Sequence, residues 1–166
     1  MRLVEKLNVK LCKYVLGVGK HATNAAVTGE VGRYPIALKL IRHSYNYWNR
    51  LNALPENSIV RNSHIDSLLI EKHSPSERNW STCMRHILSK FDQNLDWGKQ
   101  ICYLSPHELQ SCMCSDYEEL WLNFINKPNH NKLRTYAQSK KKFSMENYVL
   151  WKSVHTSVTL AENGKG

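Results

Sequence analysis

The residues that decide the fold read Lys13-Tyr14-Val15-Leu16-Gly17-Val18, then Thr23-Asn24-Ala25-Ala26-Val27, then Gly29-Glu30-Val31-Gly32-Arg33-Tyr34-Pro35. A glycine that follows an apolar helical repeat ends the helix, because glycine adopts the left-handed conformation of a C-terminal cap without steric cost. Thr23 or Asn24 can cap the next helix through its side-chain oxygen. Pro35 suits the first turn of a third helix, where its missing N–H costs little. The stretch therefore predicts three helices joined by two short turns.

Helical spacing of apolar residues continues along most of the chain, whereas strand signals are nearly absent. The first helix carries an apolar stripe on Val4, Leu7, Leu11, Tyr14 and Val15. Further helices are predicted from Pro35 to Leu54, from Asn57 or Ser58 to Lys72, from near Glu77 to Phe91, from Ser105 to Ile125, from Lys132 to Lys142 and from Phe143 to Trp151. The helix predicted from Ser105 to Ile125 opens on Ser105-Pro106-His107-Glu108, which is a capping box.

These patterns predict an all-α fold, an irregular bundle of about seven or eight helices in one body or in two small lobes. We expect an N-terminal helical segment at residues 1–54, a helical body at 55–152 that ends in a basic helix, and a flexible tail at 153–166. A boundary between lobes is expected around Leu54–Ser58, because the residue before a proline disfavours helix. Large aromatic residues are expected to anchor the cores: Trp48, Trp80, Trp121 and Phe124.

Positive charge is concentrated near the two ends of the sequence. The formal net charge is +9 and the pI is near 9.4. Residues 1–20 hold five basic residues and one acidic residue, and residues 127–152 hold seven and one. The stretch between them, 21–126, holds ten basic and eleven acidic residues. This asymmetry favours a polyanionic partner, nucleic acid first and an acidic membrane second, although a solvated basic face is the alternative.

The cysteines and the hydropathy favour an intracellular protein. Five cysteines at irregular spacings are typical of free thiols in a reducing compartment. The first sixteen residues are interrupted by charges and do not resemble a signal peptide. No apolar run approaches the ~20 residues that cross a bilayer. We therefore expect a protein of the cytoplasm or the nucleus, without a membrane partner.

Signals for catalysis or metal binding are weak. Glu118-Glu119 is the one adjacent acidic pair, and its side chains diverge on a helix, unlike the paired carboxylates that hold two metal ions in a polymerase. Cys112-Met113-Cys114 lies inside a predicted helix and lacks the Cys-x-x-Cys pairing of a zinc site. Gly17-Val18-Gly19-Lys20 ends a helix and lacks the strand and the Ser/Thr of a phosphate-binding loop. We predict no catalytic residue, no metal site and no cofactor.

The basic segment 131–143 is the strongest candidate for a binding site. Its cations can neutralise phosphates, and its aromatic residues can stack on bases. The alternative is that Leu133, Tyr136, Ala137 and Phe143 belong to the core and that the lysines are only solvated. The sequence leaves both interpretations open.

Two blocks of the chain resemble a known family. The first is the region Lys13–Leu54, including Tyr47-Trp48-Asn49-Arg50-Leu51, and the second joins Lys132-Leu133-Arg134-Thr135-Tyr136 to Phe143-Ser144-Met145-Glu146-Asn147-Tyr148. Both resemble the post-palm (thumb/connector) region of LINE-type non-LTR retrotransposon reverse transcriptase polyproteins, in the same order and at a similar distance. The resemblance implies a region that packs beside the template–primer. The Asp-Asp pair of the palm is not among these residues, so no polymerase activity is expected of them.

The sequence thus predicts a non-catalytic, nucleic-acid-binding helical fragment that contacts the phosphate backbone of RNA or DNA, and other parts of a reverse transcriptase are further candidate partners. The candidate contacts are Lys13, Lys20, Arg33, Arg42, Lys132, Arg134, Tyr136, Lys140, Lys141 and Lys142. Arg33 can meet either a phosphate or a carboxylate such as Glu30. The alternatives are a helical protein-interaction module and a decayed element remnant with no selected function.

Overall fold

The computed structural model describes residues 2–73, 79–127 and 133–149. Its helices are α1 (Arg2–Leu16), α2 (Asn24–Val31), α3 (Ile36–Ala53), α4 (Ile59–His73), α5 (Trp80–Phe91), α6 (Pro106–Ile125) and α7 (Arg134–Ser139), with a further helical turn at 147–149. Within these ranges only isolated β-bridges occur, and no strand. The predicted all-α fold is confirmed. The predicted tail at 153–166 lies outside the described residues.

Both glycine stops predicted from the sequence are confirmed. Gly17 follows α1 with φ 68°, and its N–H and that of Val18 donate to the carbonyl oxygens of Tyr14 and Lys13, each at 3.0 Å. Gly32 follows α2 with φ 58°. In both places the left-handed glycine satisfies carbonyl groups that the end of a helix would otherwise leave open. The chain can therefore reverse direction twice within its first 36 residues.

Capping chemistry sets the starts of α5 and α6. The N–H of Ser105 donates to Glu108 Oε2 at 2.7 Å, and the N–H of Glu108 donates to Ser105 Oγ at 3.2 Å, so the predicted capping box is confirmed. A second box joins Asn79 and Thr82, with N···O distances of 2.8 and 2.9 Å. It starts α5 at Trp80, later than the predicted start near Glu77, which lies outside the described residues.

The chain divides into two compact units. Unit 1 joins Met1–Ala37 to Cys114–Gly166, and unit 2 is Leu38–Met113. The boundaries fall within α3 and within α6, and not at the predicted Leu54–Ser58. Sequence cannot show this division, because it depends on which distant segments pack against α1 and α2.

The core of unit 1 is built on the last turns of α6. The main cluster of buried side chains is Trp121, Ile125, Leu133 and Phe143, and a second cluster is Cys12, Val27 and Val31. The indole N–H of Trp121 donates to the carbonyl oxygen of Ala25 at 2.8 Å, which fixes the ring against α2. Tyr34 donates its hydroxyl hydrogen to Glu118, and its ring packs on Phe143 with centroids 4.9 Å apart.

The core of unit 2 surrounds Trp48. The buried cluster is Tyr45, Trp48, Met84, Leu88, Leu109 and Met113. Trp48 stacks on Trp97 with centroids 5.9 Å apart, and its N–H donates to Gln100 Oε1 at 2.9 Å. Gln100 has φ 56°, a left-handed conformation that is uncommon outside glycine, and it also lies 3.2 Å from His64 Nε2. These bonds hold the loop after α5 against α3.

Several predicted positions differ in the structure. Trp48 and Trp121 are buried as predicted, but Trp80 and Phe124 are exposed by 37% and 43%. The apolar stripe predicted for α1 faces solvent, with Leu7 58% and Tyr14 84% exposed. α1 instead turns a less apolar face inward: Asn8 is buried, and Cys12 and Leu16 pack with residues of α2.

The predicted basic helix from Lys132 to Lys142 is shorter in the structure. α7 ends at Ser139, since Lys140 has an extended backbone with φ −97° and ψ 106°. Residues 143–146 are not helical, so the helix predicted from Phe143 to Trp151 is represented in the described residues by the turn at 147–149 alone. Met145 instead makes a bridge with Val31, and the N–H of Glu146 donates to the carbonyl oxygen of Glu30 at 3.0 Å.

Candidate nucleic-acid interface

A row of lysines lies along one face of α1. Lys6, Lys10 and Lys13 are spaced by four and three residues, which places them on neighbouring turns of the helix. Together with Glu5, Val9 and Asn24 they line an open groove of about 370 Å³. Three cations against one carboxylate leave this groove positively charged. The lysines form a row because α1 is helical, and the groove forms because α1 packs beside the start of α2.

The start of α2 adds to the positive field of the groove. Asn24 is the first residue of α2 and lines the groove. Thr23 occupies the N-cap position in an extended conformation, and its side chain makes no capping hydrogen bond. A helix N-terminus carries a partial positive charge and presents N–H groups that anions can accept from. The groove therefore combines side-chain and backbone features that favour a phosphate.

Lys13 and Lys20, both predicted contacts, lie together. The Nζ atom of Lys13 donates to the carbonyl oxygen of Lys20 at 2.9 Å. Gly17 makes this approach possible, because its left-handed conformation folds the chain back over the end of α1. The acceptor is a backbone carbonyl group and not a carboxylate, so this bond is not an ion pair, and Lys20 is exposed.

Arg33 belongs to the Gly29–Pro35 motif, and its side chain packs into neither core cluster of unit 1. Gly29 and Gly32 allow close packing, Val31 is buried, and Tyr34 joins the core of unit 1. Arg33 lies exposed in the turn between α2 and α3. Its backbone N–H donates to the carbonyl oxygen of Thr28 at 3.1 Å, but its side chain makes no hydrogen bond or ion pair with the described residues. Its charge is therefore available to a ligand.

The alternative partner predicted for Arg33 is occupied. The carboxylate of Glu30 accepts a hydrogen bond from the hydroxyl group of Tyr148. Burial, followed by this bond and the charge of Glu30, raises the pKa of the Tyr148 hydroxyl. The structure shows no ion pair between Arg33 and Glu30.

The second predicted block is held against α2. Arg134, Lys141 and Lys142 are exposed, and Lys141 donates from Nζ to the carbonyl oxygen of Ala137 at 2.9 Å. The bridge between Val31 and Met145 fixes the segment that follows these lysines. Both basic ends of the sequence therefore belong to unit 1. Lys132, another predicted contact, lies outside the described residues.

Lys140 has a structural role instead of the predicted phosphate contact. It is 6% exposed, donates to the carbonyl oxygen of Ser144 at 2.8 Å and forms an ion pair with Glu146. A buried cation that is already paired with a carboxylate is not available to a phosphate.

Tyr136 is half-buried and packs against the core of unit 1. Its hydroxyl group donates to the carbonyl oxygen of Ala26 at 3.3 Å, and its ring packs edge-on against Trp121 with centroids 6.3 Å apart. Burial, followed by the nearby Glu30 carboxylate, raises the pKa of this hydroxyl. The ring is therefore committed to the core, which corrects its predicted use in base stacking.

Arg42 stands apart from the other candidates. It belongs to unit 2, and its Nη1 atom donates to Gln110 Oε1. The remaining described candidates, Lys13, Lys20, Arg33, Arg134, Lys141 and Lys142, all belong to unit 1. The predicted set omitted Lys6 and Lys10, although their helical spacing from Lys13 was visible in the sequence.

The charge of the whole sequence follows the same division. Unit 1 carries fourteen basic and seven acidic residues, a net charge of +7, whereas unit 2 carries nine and seven, a net charge of +2. Most of the positive surplus therefore lies in the unit that holds the lysine groove. Such a concentration attracts polyanions over distances of about a Debye length.

The weaker signals for chemistry have structural explanations. Glu118 accepts the hydroxyl hydrogen of Tyr34, and burial together with this bond raises the pKa of Tyr34. Cys112 is exposed and Cys114 is half-buried. In the described part of the chain, no group of three or more His, Cys, Asp or Glu side chains is arranged to hold a metal ion. No described helix is both long and apolar enough to cross a membrane.

Comparisons with protein-family models, with curated proteins and with solved structures find no match.

Proposed function

We propose that this protein is a non-catalytic helical module that binds RNA or DNA through the phosphate backbone. The lysine groove of α1 carries this proposal, because Lys6, Lys10 and Lys13 line one surface beside the start of α2. Binding to phosphates releases condensed counterions, which makes such a site favourable and dependent on salt. Arg33, exposed at the end of α2, provides a further cation in the same unit.

The ancestry is part of the proposal. We infer that the chain derives from the post-palm region of a LINE-type reverse transcriptase, since the two resembling blocks keep their order along the chain. Support comes from the packing of residues in the second block against α2. An in-frame region that encodes an Asp-Asp palm upstream in the genome would support this origin, and an unrelated coding context would contradict it.

A salt titration of oligonucleotide binding tests the function. Fluorescence anisotropy is measured with a labelled single strand and with a duplex, from low to high salt. The logarithm of the affinity should fall linearly with the logarithm of the salt concentration. The triple substitution Lys6→Gln, Lys10→Gln and Lys13→Gln should reduce the slope for a single strand by about 2, since each phosphate contact contributes about 0.7.

The matched control removes three exposed charges from unit 2: Lys39→Gln, Arg50→Gln and Lys99→Gln. This variant has the same net charge as the groove variant, so it should keep the wild-type slope if the groove is the contact surface. An equal loss of slope in both variants would show that binding depends on the overall charge and not on the groove. Binding that is absent, or that does not respond to salt, would contradict the proposed function.

A second candidate function, protein interaction, is favoured by the outer face of α1. Four apolar residues of α1, all exposed, follow one another at spacings of three and four: Val4, Leu7, Leu11 and Tyr14. Such a stripe is typical of a helix that packs against another helix. If this is the functional surface, concentration-dependent association in analytical ultracentrifugation should resist salt and disappear in a Leu7→Gln, Leu11→Gln variant. A chain that neither associates nor binds nucleic acid would favour a remnant without selected function.

A further inference from the structure

The outer face of α1 carries apolar residues that the binding of a phosphate backbone does not use. Six of them, which we call the outer stripe, are 39–84% exposed: Leu3, Val4, Leu7, Leu11, Tyr14 and Val15. At 3.6 residues per turn they cover about 120° of the circumference of the helix. A nucleic-acid strand on the lysines would leave this stripe in water, so a partner of another kind fits it better.

The outer stripe is the convex surface of a single helix. None of its residues lines the lysine groove. Its most exposed members, Leu3 at 72% and Tyr14 at 84%, lie at its two ends. The seam along which two helices pack in a coiled coil is narrower than this stripe. A wide, convex apolar face suits a broad apolar medium better than the side of one partner helix.

The lysine row borders the outer stripe along its length. Each lysine of α1 directly precedes a stripe residue in the sequence: Lys6-Leu7, Lys10-Leu11 and Lys13-Tyr14. Successive residues lie about 100° apart around a helix, so the three lysines follow one edge of the stripe. A lysine side chain can keep its apolar stem beside an apolar medium and extend its amino group to a phosphate.

The carboxylate of α1 is turned away from this edge. Glu5 is the one acidic residue of α1, and its Oε1 atom accepts a hydrogen bond from the N–H of Ala37 at 2.9 Å. Asn8 and Cys12, which are buried, lie on the same side of the helix as Glu5. The exposed face of α1 therefore combines apolar side chains with cations and has no carboxylate that would repel an anionic surface.

We propose that α1 binds to the surface of an anionic phospholipid bilayer. The outer stripe would lie at the boundary between the headgroups and the acyl chains, with the lysines against the anionic headgroups, as in other amphipathic helices that carry lysines beside a wide apolar face. Charge complementarity favours this partner, because a neutral bilayer offers no anionic excess and a second copy would bring three more lysines to the contact.

This inference goes beyond the proposed function and departs from the expectation that the protein has no membrane partner. That expectation followed from the lack of a spanning segment, and no described helix is long and apolar enough to cross a bilayer. A helix that lies on the surface does not need that length. The same lysines would serve the strand and the bilayer, so the two ligands should compete.

Co-sedimentation with vesicles tests the proposal. Vesicles of phosphatidylcholine that contain phosphatidylserine are compared with vesicles of phosphatidylcholine alone. The protein should sediment with the anionic vesicles, less so as the salt concentration rises, and remain in solution with the neutral ones. The triple substitution Lys6→Gln, Lys10→Gln and Lys13→Gln should lower the partition coefficient by about a hundredfold, at about fivefold for each basic residue near an anionic surface.

The variant Leu7→Gln, Leu11→Gln separates the bilayer from the nucleic acid. It should weaken binding to anionic vesicles by at least about tenfold, because both side chains leave water in the complex. It should keep the salt dependence of oligonucleotide binding. The matched control is Ile59→Gln, Ile65→Gln in unit 2, where the two isoleucines are 82% and 43% exposed, and it should bind vesicles like the wild type.

A substitution that strengthens binding completes the series. Val4→Leu adds one methylene group to the outer stripe at a position that is 42% exposed. It should tighten binding to anionic vesicles by about threefold. Urea denaturation of every variant should match the wild type, since the substituted side chains are exposed, and this shows that changes in binding do not come from loss of the fold.

Three results would overturn the bilayer contact: no sedimentation with anionic vesicles, equal binding to neutral vesicles, or full binding by the leucine variant. A wild type that forms dimers without lipid, and loses them in the leucine variant, would also overturn it, since a second copy would then cover the stripe. Oligonucleotide binding is measured without lipid, so none of these results contradicts the proposed function.

Discussion

Gly29 and Gly32 show at single-residue scale why the Gly29–Pro35 motif holds the fold of unit 1. A Cβ atom on Gly29 would lie 2.4 Å from Trp121 Cζ2 and 2.6 Å from the hydroxyl oxygen of Tyr136. A Cβ atom on Gly32 would lie 2.4 Å from the backbone nitrogen of Met145, and its φ of 58° is unfavourable for other residues. Both glycines thus allow distant parts of the sequence to approach α2.

Substituting Gly29 by alanine should therefore destabilise the protein. The indole ring of Trp121 cannot move away easily, since its N–H is bonded to Ala25. We expect Gly29→Ala to lower the free energy of unfolding by about 1–3 kcal/mol, as overpacked cores do. Urea denaturation followed by tryptophan fluorescence measures the change.

Gly19→Ala is the matched control, because no atom lies within 4 Å of a Cβ placed there. It should change the free energy of unfolding by less than about 0.5 kcal/mol. Equal effects of the two substitutions would show that the contact between α2 and Trp121 is looser than the structure indicates.

The buried carboxylate of Asp92 should make the stability of unit 2 depend on pH. The carboxylate is buried and accepts hydrogen bonds from the N–H groups of Asn94 at 2.9 Å and Tyr103 at 2.8 Å. Burial by itself would raise the pKa of Asp92, but these bonds outweigh it and lower the pKa below its ordinary value. Because the folded pKa lies below the unfolded value of about 3.9, the stabilisation is present above that pH and is lost as the pH falls through the folded pKa.

Asp92→Ala should remove this dependence. At pH 7 it leaves two N–H groups without their acceptor, which should lower the free energy of unfolding by about 1–3 kcal/mol. The difference in the free energy of unfolding between the variant and the wild type should become smaller as the pH falls below about 4. Urea denaturation at a series of pH values measures it, and a gap that stays constant would contradict the assigned role.

At the scale of the helix, the face of α1 that the sequence pattern predicts to be buried is the exposed one. The strongest apolar stripe faces solvent, and the inward face carries Asn8 and Cys12. Leu7 and Leu133 provide a matched test in unit 1, since they are 58% and 2% exposed. Leu7→Ala should change the free energy of unfolding by less than about 0.5 kcal/mol, and Leu133→Ala should lower it by about 2–5 kcal/mol.

Chemical denaturation of the two leucine variants under the same conditions measures this difference. A large loss in Leu7→Ala would mean that the outer face of α1 is covered in the folded protein, as the protein-interaction alternative requires. Concentration dependence of that loss would then identify self-association as the cause.

The helices differ in how far the sequence determines them. The start of α6 depends on the hydrogen bonds between Ser105 and Glu108, which lie within four consecutive residues. The sequence therefore predicts it correctly. The orientation of α1 depends on which face meets α2, and the end of α7 depends on Lys140 reaching Glu146. The spacing of apolar residues in the sequence predicts neither of these two contacts. For the same reason the sequence does not show that Asn8 is buried, with no hydrogen-bond partner for its Oδ1 atom among the described residues.

At the scale of the whole molecule, the lysines differ in the unit to which they belong and in how far they are buried. The groove lysines and Lys20 belong to unit 1, while Lys39 and Lys99 are exposed in unit 2. Lys140 belongs to unit 1 but is buried in its ion pair. Charge alone would treat all of these residues alike, whereas the proposed interface requires that they respond differently to a bound strand.

Lysine acylation with and without a single-stranded oligonucleotide, read out by mass spectrometry, measures that response. Lys6, Lys10 and Lys13 should be modified several-fold more slowly in the complex, and Lys39 and Lys99 at an unchanged rate. Lys140 should react slowly in both states, because its amino group is buried and bonded to Ser144 and Glu146. Slower modification confined to unit 2, or equal along the chain, would place the bound strand elsewhere and remove the groove as the contact surface.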